Sequence, residues 1–542
     1  MLLRSVISFA TPLVVLACAA AQDGPPRREE RGDRPERRGP ERPEGLLKRE
    51  AGAYEGLTLV SSLSTRETHL IDLDGRSVHS WKSDVPLGNV AYLMADGTLL
   101  RAGRQGDNKI FRGGGEGGRI QKLDVDGQVI WDFVWSNDEH LHHHDIKALP
   151  NGNVLFLSWE KKTKAEAIAA GRDPRFLKGE WFWPDVVYEV KPVLPSGGEI
   201  VWEWHAWDHL IQDRDQEAQN FGVVEEHPER IDINADWTRF EVKEDPKADT
   251  ETAERLRGLG YVGGPPAGDR GAGAAAPAAS GAGAPGGPGA VGGPGRPGMG
   301  AMGGGGADWM HSNAVDYHAG FDQILISVKH LNEIWVIDHS TTTAEARGSQ
   351  GGRYGKGGDL LYRWGNPVAY RGGTPEQRQL FEQHNAHWIP AGRPGAGHIL
   401  VFNNGSPREG RAWSSADEIA LPVDAEGRYA PRREDGLLGP EQALWSYTAP
   451  KKQDFFSSFI SGVQRLENGN TLICEGETRR VFEVTQEGAT VWEWVMPIAL
   501  IGADAPPGGR GPRGGLFRAE RLAPDHPGLA ALRAAGHPLS IK

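Results

Sequence analysis

Three histidines, His144, His311 and His384, occupy the same position in a recurring segment of the chain. Each opens a stretch that leads through a turn into an apolar strand, as in HDIKALPNGNVLFLSW, HSNAVDYHAGFDQILIS and HNAHWIPAGRPGAGHILVFNNG. Two further segments fit the same frame with Asn89 or Ser461 at that position. A neutral imidazole can act as a nucleophile, transfer a proton or bind a transition metal. If these histidines converge, they form either a catalytic cluster or a metal site.

Two other features bear on the choice between these chemistries. A single histidine before a strand can simply cap a turn by bonding a neighbouring carbonyl, but one shared position in three segments favours convergence. The tract HLHHHD, from His140 to Asp145, adds further imidazoles and a carboxylate. A metal site with His144, His311 and His384 as ligands therefore stays open beside the catalytic cluster.

The elements that must position these histidines are repeated β-hairpins. A strand, a turn and a tryptophan-bearing strand recur six times, from THLIDLDGRSVHSW to RRVFEVTQEGATVWEWV. Alternating apolar positions bounded by Asp-Gly, Gly-Gly and Asn-Gly turns predict antiparallel strands, and their self-similarity predicts a repeat architecture. We predict an all-β fold, a six-bladed β-propeller, in which the recurring tryptophan fills the wedge between blades. The early strand GLTLVSS is expected to close the ring against the last blade.

This fold explains how histidines far apart in sequence can meet. The innermost strand of each blade lines the central channel of a propeller, so a residue just before that strand lies near one channel mouth. All three histidines hold this position. The blade frame therefore predicts that they face a common space.

Composition divides the chain into five regions. Residues 1–21 are predicted to be a signal peptide, with Cys18 as a possible lipoprotein site, and residues 22–50 to be a disordered tether rich in Arg, Glu and Pro. The propeller is predicted over 51–500, interrupted by a disordered Gly/Ala/Pro-rich loop at 258–307, and 501–542 is predicted to be a C-terminal extension. We expect an exported protein that is periplasmic or associated with the cell envelope.

Net charge limits the classes of binding partner, and cysteine content limits the possible disulfides. The formal net charge is −13, which argues against nucleic acid or an anionic membrane surface as the main partner. A membrane contact is expected only through a lipid anchor at Cys18. Of the two cysteines, only Cys474 would remain after removal of the signal peptide, so no intramolecular disulfide is expected.

Several segments resemble one known family. DWMHSNAVDYHAGFDQILISVKHLNEIWVID is similar to the core motif of the bacterial arylsulfotransferases, a Trp-x-His-x-Asn-Ser segment followed by a strand ending in Ser-Arg-His. QHNAHWIP with ILVFNNGSPR resembles that family's Gln-His segment and its Phe-Asp-Asn-Gly-x-x-Arg strand, and HHDIKALPNGN resembles an earlier segment. The resemblance extends from about 55 to 500, with the glycine-rich loop excepted.

The resemblance implies a six-bladed propeller and a sulfuryl transfer from an aryl sulfate ester to a phenol, with no cofactor and no nucleotide sulfate donor. The absence of a phosphate-binding loop agrees, since GGRYGKGG lacks the P-loop spacing. By motif, His384 is the nucleophile, and His311 and His144 support it, with His143 as the competing position for the third histidine. The partners implied are a small aromatic sulfate donor and a phenolic acceptor, and no oligomeric state is predicted.

The chain departs from the family pattern at one cationic position. Eighteen residues after His311 the family has an arginine, where this chain has Lys329. Lysine keeps the charge but replaces a bidentate fork by a compact ammonium, so the contacts to sulfuryl oxygens must differ. This change leaves transfer, simple hydrolysis and loss of activity all open.

Four further residues are predicted to bind substrate in the channel. They are Asn313, Asn385, Arg408 and Arg479. Asn404 could orient a histidine or line the channel mouth, and His330 is expected to point away. Two alternative functions remain beside sulfuryl transfer: a metal-dependent propeller enzyme with a three-histidine channel site, and a non-catalytic propeller that binds a ligand.

Overall fold

Six small antiparallel sheets make up the fold, and they are arranged as the six blades of a β-propeller. The all-β prediction and the blade count are thus confirmed. The computed structural model describes residues 43–63, 65–236, 306–406, 412–501 and 514–539. The predicted signal peptide, the tether up to residue 42, the glycine-rich loop up to residue 305 and Arg408 lie outside the described residues.

Each blade has four strands, and the last blade has a fifth. From the channel outward, blade 1 contains Leu516–Leu522, Leu57–Ser62, Glu67–Ile71 and Ser77–Lys82, and blade 2 contains Leu87–Leu93, Leu99–Arg104, Gly118–Leu123 and Val129–Val134. In the same order, blade 3 contains His140–Ala148, Val154–Glu160, Asp185–Pro192 and Gly198–His205, and blade 4 contains Ser312–His318, Gln323–Val328, Glu333–Asp338 and Tyr362–Trp364. Blade 5 contains His384–Trp388, Ile399–Asn403, Ser415–Ile419 and Trp445–Tyr447, and blade 6 contains Gly462–Arg465, Thr471–Glu475, Arg480–Val484, Thr490–Val495 and Gly45–Arg49.

The remaining elements of the described residues are short, and all lie in connections between strands except the last helix, which follows the final strand. Two small two-stranded sheets pair Lys162–Thr163 with Trp181–Phe182, and Leu210–Ile211 with Ile231–Asp232. The α-helices are Lys164–Ala169, Thr343–Ala346 and Pro527–Ala534, and the 3₁₀ helices are Pro174–Phe176, Ala206–His209, Val224–Glu226, Lys329–Leu331, Pro367–Tyr370, Pro375–Gln377, Lys452–Asp454, Gly476–Thr478 and Ile498–Leu500. In the described part of the chain, no helix is long and apolar enough to cross a membrane.

A ring of tryptophans joins each blade to the next. On the fourth strand of every blade, one indole N–H donates to a backbone carbonyl of the following blade at 2.7–3.1 Å. The donors are Trp81, Trp131, Trp204, Trp364, Trp445 and Trp492. Each bond contributes about 0.5–1.5 kcal/mol, and the large ring around it fills the gap between sheets. These are the recurring tryptophans of the six predicted hairpins.

The ring closes differently from the prediction. GLTLVSS supplies the second strand of blade 1, Leu57–Ser62, and the C-terminal strand Leu516–Leu522 pairs with it from the channel side. The region from 501 on is therefore no mere extension, because the propeller continues to Leu522. Beyond that strand, Leu529 and Leu532 of the last helix are buried against the first two blades.

The start of the propeller is also earlier than predicted. Gly45–Arg49, placed by sequence in the tether, pairs antiparallel with Thr490–Val495 as the outer strand of blade 6. Leu46 packs against the core of that blade. The strand is short and follows a long polar stretch, so its two leucines did not stand out from the tether composition.

Candidate active site

The shared histidine position corresponds to a shared backbone conformation. Asn89, His144, His311 and Ser461 all have positive φ, at 93°, 53°, 52° and 89°. In the fifth segment the positive φ falls one residue later, on Asn385 at 55°. A left-handed conformation costs a residue with a Cβ roughly 1–2 kcal/mol, and such residues cluster at functional sites. The repeat therefore maintains a strained turn at one mouth of the channel.

A β-bulge accompanies this turn in four of the blades. The register of the innermost strand shifts beside Asn89 in blade 2, beside His144 in blade 3, at Ser312 in blade 4 and after His384 in blade 5. A bulge turns the side chains at the start of the strand out of the regular pleat. This local geometry lets the three histidines face the channel instead of the neighbouring sheets.

His384 is fully buried, and its hydrogen bonds determine its tautomer. Its Nδ1 lies 2.7 Å from Oδ1 of Asn404, whose Nδ2 donates to the carbonyls of Ser457 and Ile460 at 2.8 and 3.1 Å. Because those two carbonyls orient the amide, Nδ1 of His384 must carry the proton. The backbone N–H of Ile460 donates to Nε2 at 3.2 Å, so Nε2 carries the lone pair.

The pKa of His384 lies well below its ordinary value. Burial is the main cause, because it disfavours the charged imidazolium, and the nearby ammonium of Lys329 adds to the effect. The ring is therefore neutral at physiological pH. A neutral imidazole, with its lone pair on Nε2, is the form that can act as a nucleophile.

His311 is oriented by a carboxylate three residues earlier in the chain. Its Nδ1 makes a short contact with Oδ2 of Asp308. Burial lowers the pKa of His311, and Asp308 opposes that shift. The ring of His330 stacks on His311 with centroids 4.6 Å apart, so the expectation that His330 points away is wrong.

His144 faces the same space as His311. Their ring centroids are 4.5 Å apart in an edge-to-face arrangement, and burial lowers the pKa of His144 well below its ordinary value. His143 lies behind it, with its Nδ1 2.8 Å from Nδ1 of His144 and its ring stacked on Trp159 at 4.3 Å. Of the two competing positions, the structure places His144 beside the other histidines.

The His144 ring lies against a glycine that has no room for a side chain. A Cβ on Gly115 would come within 2.1 Å of Cε1 of His144, and Gly115 also has a φ of +84°. The carbonyl of Gly115 accepts bonds from the backbone N–H of His144 and from Nδ2 of Asn89, both at 2.9 Å. This loop of blade 2 therefore fixes one wall of the histidine cluster.

Lys329 brings the positive charge of the site. It begins a 3₁₀ helix directly after a buried strand of blade 4, and only 8% of its surface is exposed. Its Nζ lies 3.0 Å from Oε2 of Glu382, two residues before His384. The same ammonium lowers the pKa values of His144, His311 and His384, which places its charge beside all three.

The four predicted substrate-binding residues are dispersed. Asn313 donates from Nδ2 to the carbonyl of Gln383 at 2.7 Å, so it ties blade 4 to the segment before His384. Asn385 accepts the backbone N–H of Val463 at 2.9 Å and lines a cavity in the channel. Arg479 instead binds the carbonyl of Met496 and the carboxylate of Glu44 at the side of blade 6. Arg408 lies outside the described residues.

The geometry adds several residues that sequence reasoning did not assign. Asp308 and Glu382 bind His311 and Lys329, and the ring of Phe517 approaches those of His144 and His384 with centroids 6.0 Å away in each case. Asp308 could have been found from its place three residues before His311. No comparable signal marks Phe517, because it comes from the strand whose membership in blade 1 was missed.

The metal ligand set proposed from sequence does not match the structure. Among the described residues, one group has three candidate ligand atoms within 4.8 Å of one another, and its members are Asp308, His311 and His330. His144 and His384 do not belong to it. This group could bind a divalent transition metal, although His311 is then shared with the histidine cluster.

One family model matches most of the chain, and two curated proteins match about a third of it. The model of the arylsulfotransferase (ASST) family matches residues 47–494. The arylsulfate sulfotransferase AssT of Escherichia coli O6:H1 is 26% identical over 190 residues, which are 34% of this chain and 30% of that protein. AssT of Lelliottia amnigena is 26% identical over 186 residues, or 33% and 29% of the two chains. The aligned segment thus spans about a third of these curated relatives.

Solved structures show weaker similarity. A Bacteroides caccae protein of unknown function aligns over 86% of this chain and 98% of its own, with a TM-score of 0.39 and 10% identity. The periplasmic gluconolactonase PpgL of Pseudomonas aeruginosa aligns over 81% and 96%, with a TM-score of 0.34 and 11% identity. These structural similarities are too low to indicate a function, whereas the family model covers most of the sequence. The chain belongs to the arylsulfotransferase family.

Proposed function

We propose that this protein transfers a sulfuryl group from an aryl sulfate ester to a phenolic acceptor through a sulfohistidine at His384. The observation that carries the proposal is the state of this ring, which is buried and neutral, with Nδ1–H held by Asn404 and the lone pair on Nε2. Membership of the arylsulfotransferase family supports the substrate class.

In the first displacement, Nε2 of His384 attacks the sulfur of the donor. The N–S bond forms as the S–O bond to the aryl group breaks, and the phenolate leaves with the electron pair of that bond. The Nδ1–H of His384 stays hydrogen-bonded to Oδ1 of Asn404. This fixed amide acceptor stabilises the positive charge that develops on the ring. To free its lone pair, Nε2 must give up the bond to the N–H of Ile460.

Charge in this step is redistributed toward the leaving oxygen and the sulfuryl oxygens. Lys329 has three N–H donors, and one is used by Glu382, which leaves two for the substrate. Of the two supporting histidines, His311 supplies the proton that the leaving phenolate needs, because Asp308 stabilises its charged form, whereas burial keeps His144 neutral. The released N–H of Ile460 is a further donor beside the sulfur.

The second displacement reverses the first with a new phenol. The acceptor passes its proton to the histidine that protonated the leaving group, and its oxygen attacks the sulfur of the sulfohistidine. The N–S bond breaks, and its electron pair returns to Nε2 of His384. Every group is restored, so no nucleotide sulfate or external base is consumed.

The test is transfer from 4-nitrophenyl sulfate to phenol by the full-length protein. We expect release of 4-nitrophenolate that depends on phenol, together with formation of phenyl sulfate, and loss of both in His384→Gln. His398→Gln is the matched control, because His398 lies in the same blade and pairs with Glu418 instead of the cluster. Mass spectrometry of the wild type after mixing with donor alone should detect an acid-labile sulfuryl group on His384.

Other outcomes would favour the alternative functions. Stoichiometric transition metal in the purified protein, lost in His311→Ala and His330→Ala, would favour a metal-dependent enzyme at the Asp308 group. Binding of aryl sulfates without turnover over a broad donor panel would favour a non-catalytic propeller. Release of 4-nitrophenolate independent of phenol would assign simple hydrolysis.

We also propose that the protein is exported and remains in the periplasm or at the cell envelope. The support is the apolar N-terminal segment that ends in small residues and is followed by a polar stretch. Cell fractionation tests this location, and Cys18→Ala tests the lipid anchor. Release of the variant from the membrane fraction is expected for a lipoprotein, whereas an unchanged soluble fraction indicates cleavage of a conventional signal.

A further inference from the structure

A second site lies in the channel, apart from the histidine cluster. It is a partly open cavity of about 330 Å³ lined mainly by the innermost strands of all six blades. None of His144, His311, His384 or Lys329 lines it. Most of the lining residues come from later positions in those strands, while Asn89 holds the repeated histidine position in blade 2 and Asn385 directly follows His384. The cavity is therefore not explained by the proposed sulfuryl transfer.

Two ion pairs in the cavity wall occupy most of its charged groups. Lys147 contacts Asp316 at 2.7 Å, and Arg518 contacts Asp145 at 2.8 Å. Asp145 also accepts the hydroxyl of Tyr92 at 2.8 Å. These side chains are committed to one another, so they shape the wall and leave no net charge for a ligand.

Two other charged residues of the wall have no such partner. Glu520 and Arg393 both line the cavity, and among the described residues neither forms an ion pair within 4.0 Å. Arg393 uses one guanidinium nitrogen to donate to the carbonyl of Arg465 at 2.8 Å, which leaves its remaining donors available. Burial raises the pKa of Glu520, and the positive charges of Arg393, Lys147 and Arg518 oppose that shift, so Glu520 lies within electrostatic range of Arg393 without contact.

The rest of the wall is mostly apolar. The rings of Tyr92 and Trp388 face the cavity, with Leu59, Val60 and Val315 beside them. A cavity with apolar walls and a few fixed polar groups is typical of a small-molecule site. The ligand that fits combines an apolar or aromatic body with one cationic and one anionic group.

We infer that this cavity binds a small zwitterion, an α-amino acid with an apolar or aromatic side chain. Its carboxylate pairs with the guanidinium of Arg393, and its ammonium pairs with the carboxylate of Glu520. Its side chain packs between Tyr92 and Trp388. Each of these pairs is a charge-assisted hydrogen bond, the stronger class of such bonds. The inference is independent of the proposed transfer, because binding requires no turnover.

Isothermal titration calorimetry with three probes tests this assignment. L-phenylalanine carries both charges, 2-phenylethylamine only the cation and 3-phenylpropionate only the anion. We expect the wild-type protein to bind L-phenylalanine about tenfold or more tightly than either single-charge probe, since a hydrogen bond to a charged group contributes roughly that much.

Two variants assign the charges separately. Glu520→Gln should weaken binding of L-phenylalanine and 2-phenylethylamine by about tenfold and leave 3-phenylpropionate unchanged. Arg393→Gln should weaken L-phenylalanine and 3-phenylpropionate and leave the amine unchanged. Arg433→Gln is the control, because Arg433 pairs with Asp435 and Glu441 at the exposed surface.

Several results would overturn the inference. They are the absence of heat from L-phenylalanine at millimolar concentration with the wild type, equal affinity for all three probes, or losses in the two variants that do not follow the charge of the probe. Thermal unfolding is measured for each variant, and if Arg393→Gln does not fold, the Glu520→Gln series decides alone.

Discussion

Replacement of Lys329 by methionine tests whether one ammonium stabilises the transition state of sulfuryl transfer. Methionine is unbranched like lysine but one atom shorter, and it lacks the three N–H donors, one of which binds Glu382 at 3.0 Å. If a single remaining donor reaches a sulfuryl oxygen, its removal costs roughly 3–4 kcal/mol, or about 10²–10³ in kcat. Because this contact strengthens as charge develops, KM should change little.

The same substitution changes the acid limb of the pH profile. His384 must be neutral to attack, so activity is lost as pH falls through its folded-state pKa. That pKa is held well below the ordinary value mainly by burial and secondly by Lys329. Without the ammonium the pKa rises, and the acid limb moves to higher pH. Above that limb the 10²–10³ loss persists, which separates the missing donor from the altered titration.

Stopped-time assays of 4-nitrophenolate release with phenol, between pH 5 and 9, measure both effects. Lys329→Arg is the matched control, since it retains the charge and restores the residue of the family pattern, and it should keep activity within about tenfold. Retention of wild-type kcat by Lys329→Met, with the protein folded, would refute the assigned role. Loss of the Lys329–Glu382 ion pair should also lower the free energy of unfolding by about 1–3 kcal/mol.

Three further predictions concern other parts of the molecule. Asn404→Ala should reduce kcat about 10- to 100-fold, because the tautomer of the nucleophile is no longer held, and steady-state kinetics will show whether KM stays constant. Gly115→Ala should abolish activity, because its Cβ would lie 2.1 Å from Cε1 of His144. Gly152→Ala is the control, since Gly152 has a similar φ of +87° with open space around it. That substitution should lower the free energy of unfolding, measured in urea, by only about 1 kcal/mol. The pKa of His339, which burial lowers and two carboxylates more strongly raise, is about 9. Because it exceeds the unfolded value, roughly 3 kcal/mol of stability is present below pH 6.5 and lost as pH rises toward 9, and urea titrations of His339→Phe should lack this dependence.

The repeated hairpins made the architecture predictable from sequence. Each hairpin has its own turn and its own tryptophan, so local signals specify a blade, and six such blades specify the ring. The convergence of His144, His311 and His384 follows from the same logic, because each lies at a strained turn before an innermost strand, with the positive φ on the histidine itself in two segments and on the next residue in the third. The local sequence pattern thus predicts the features that every blade shares, including the strained turn at the channel mouth.

Features that depend on a single contact between distant segments were not predictable in this way. The strand Leu516–Leu522 is recognised only by its pairing with Leu57–Ser62, and its own sequence, LFRAERL, lacks the hairpin partner that marks the other strands. Gly45–Arg49 is a similar case at the opposite end. The stacking of His330 on His311 depends on the turn into a 3₁₀ helix after Val328, which a count of residues along a strand does not include.

The closing strand of blade 1 gives the molecule an order of assembly. Arg521 donates to the hydroxyl of Thr58, 463 positions earlier, so this contact forms only after the last blade has been synthesised. The same strand carries Phe517, which meets two of the channel histidines, and Arg518, which reaches Asp145 in blade 3. A nascent chain in which only blades 2 to 6 are complete therefore still has an open ring. Its channel also lacks the wall that the innermost strand of blade 1 supplies. Closure of the ring and completion of the channel lining are therefore one late event.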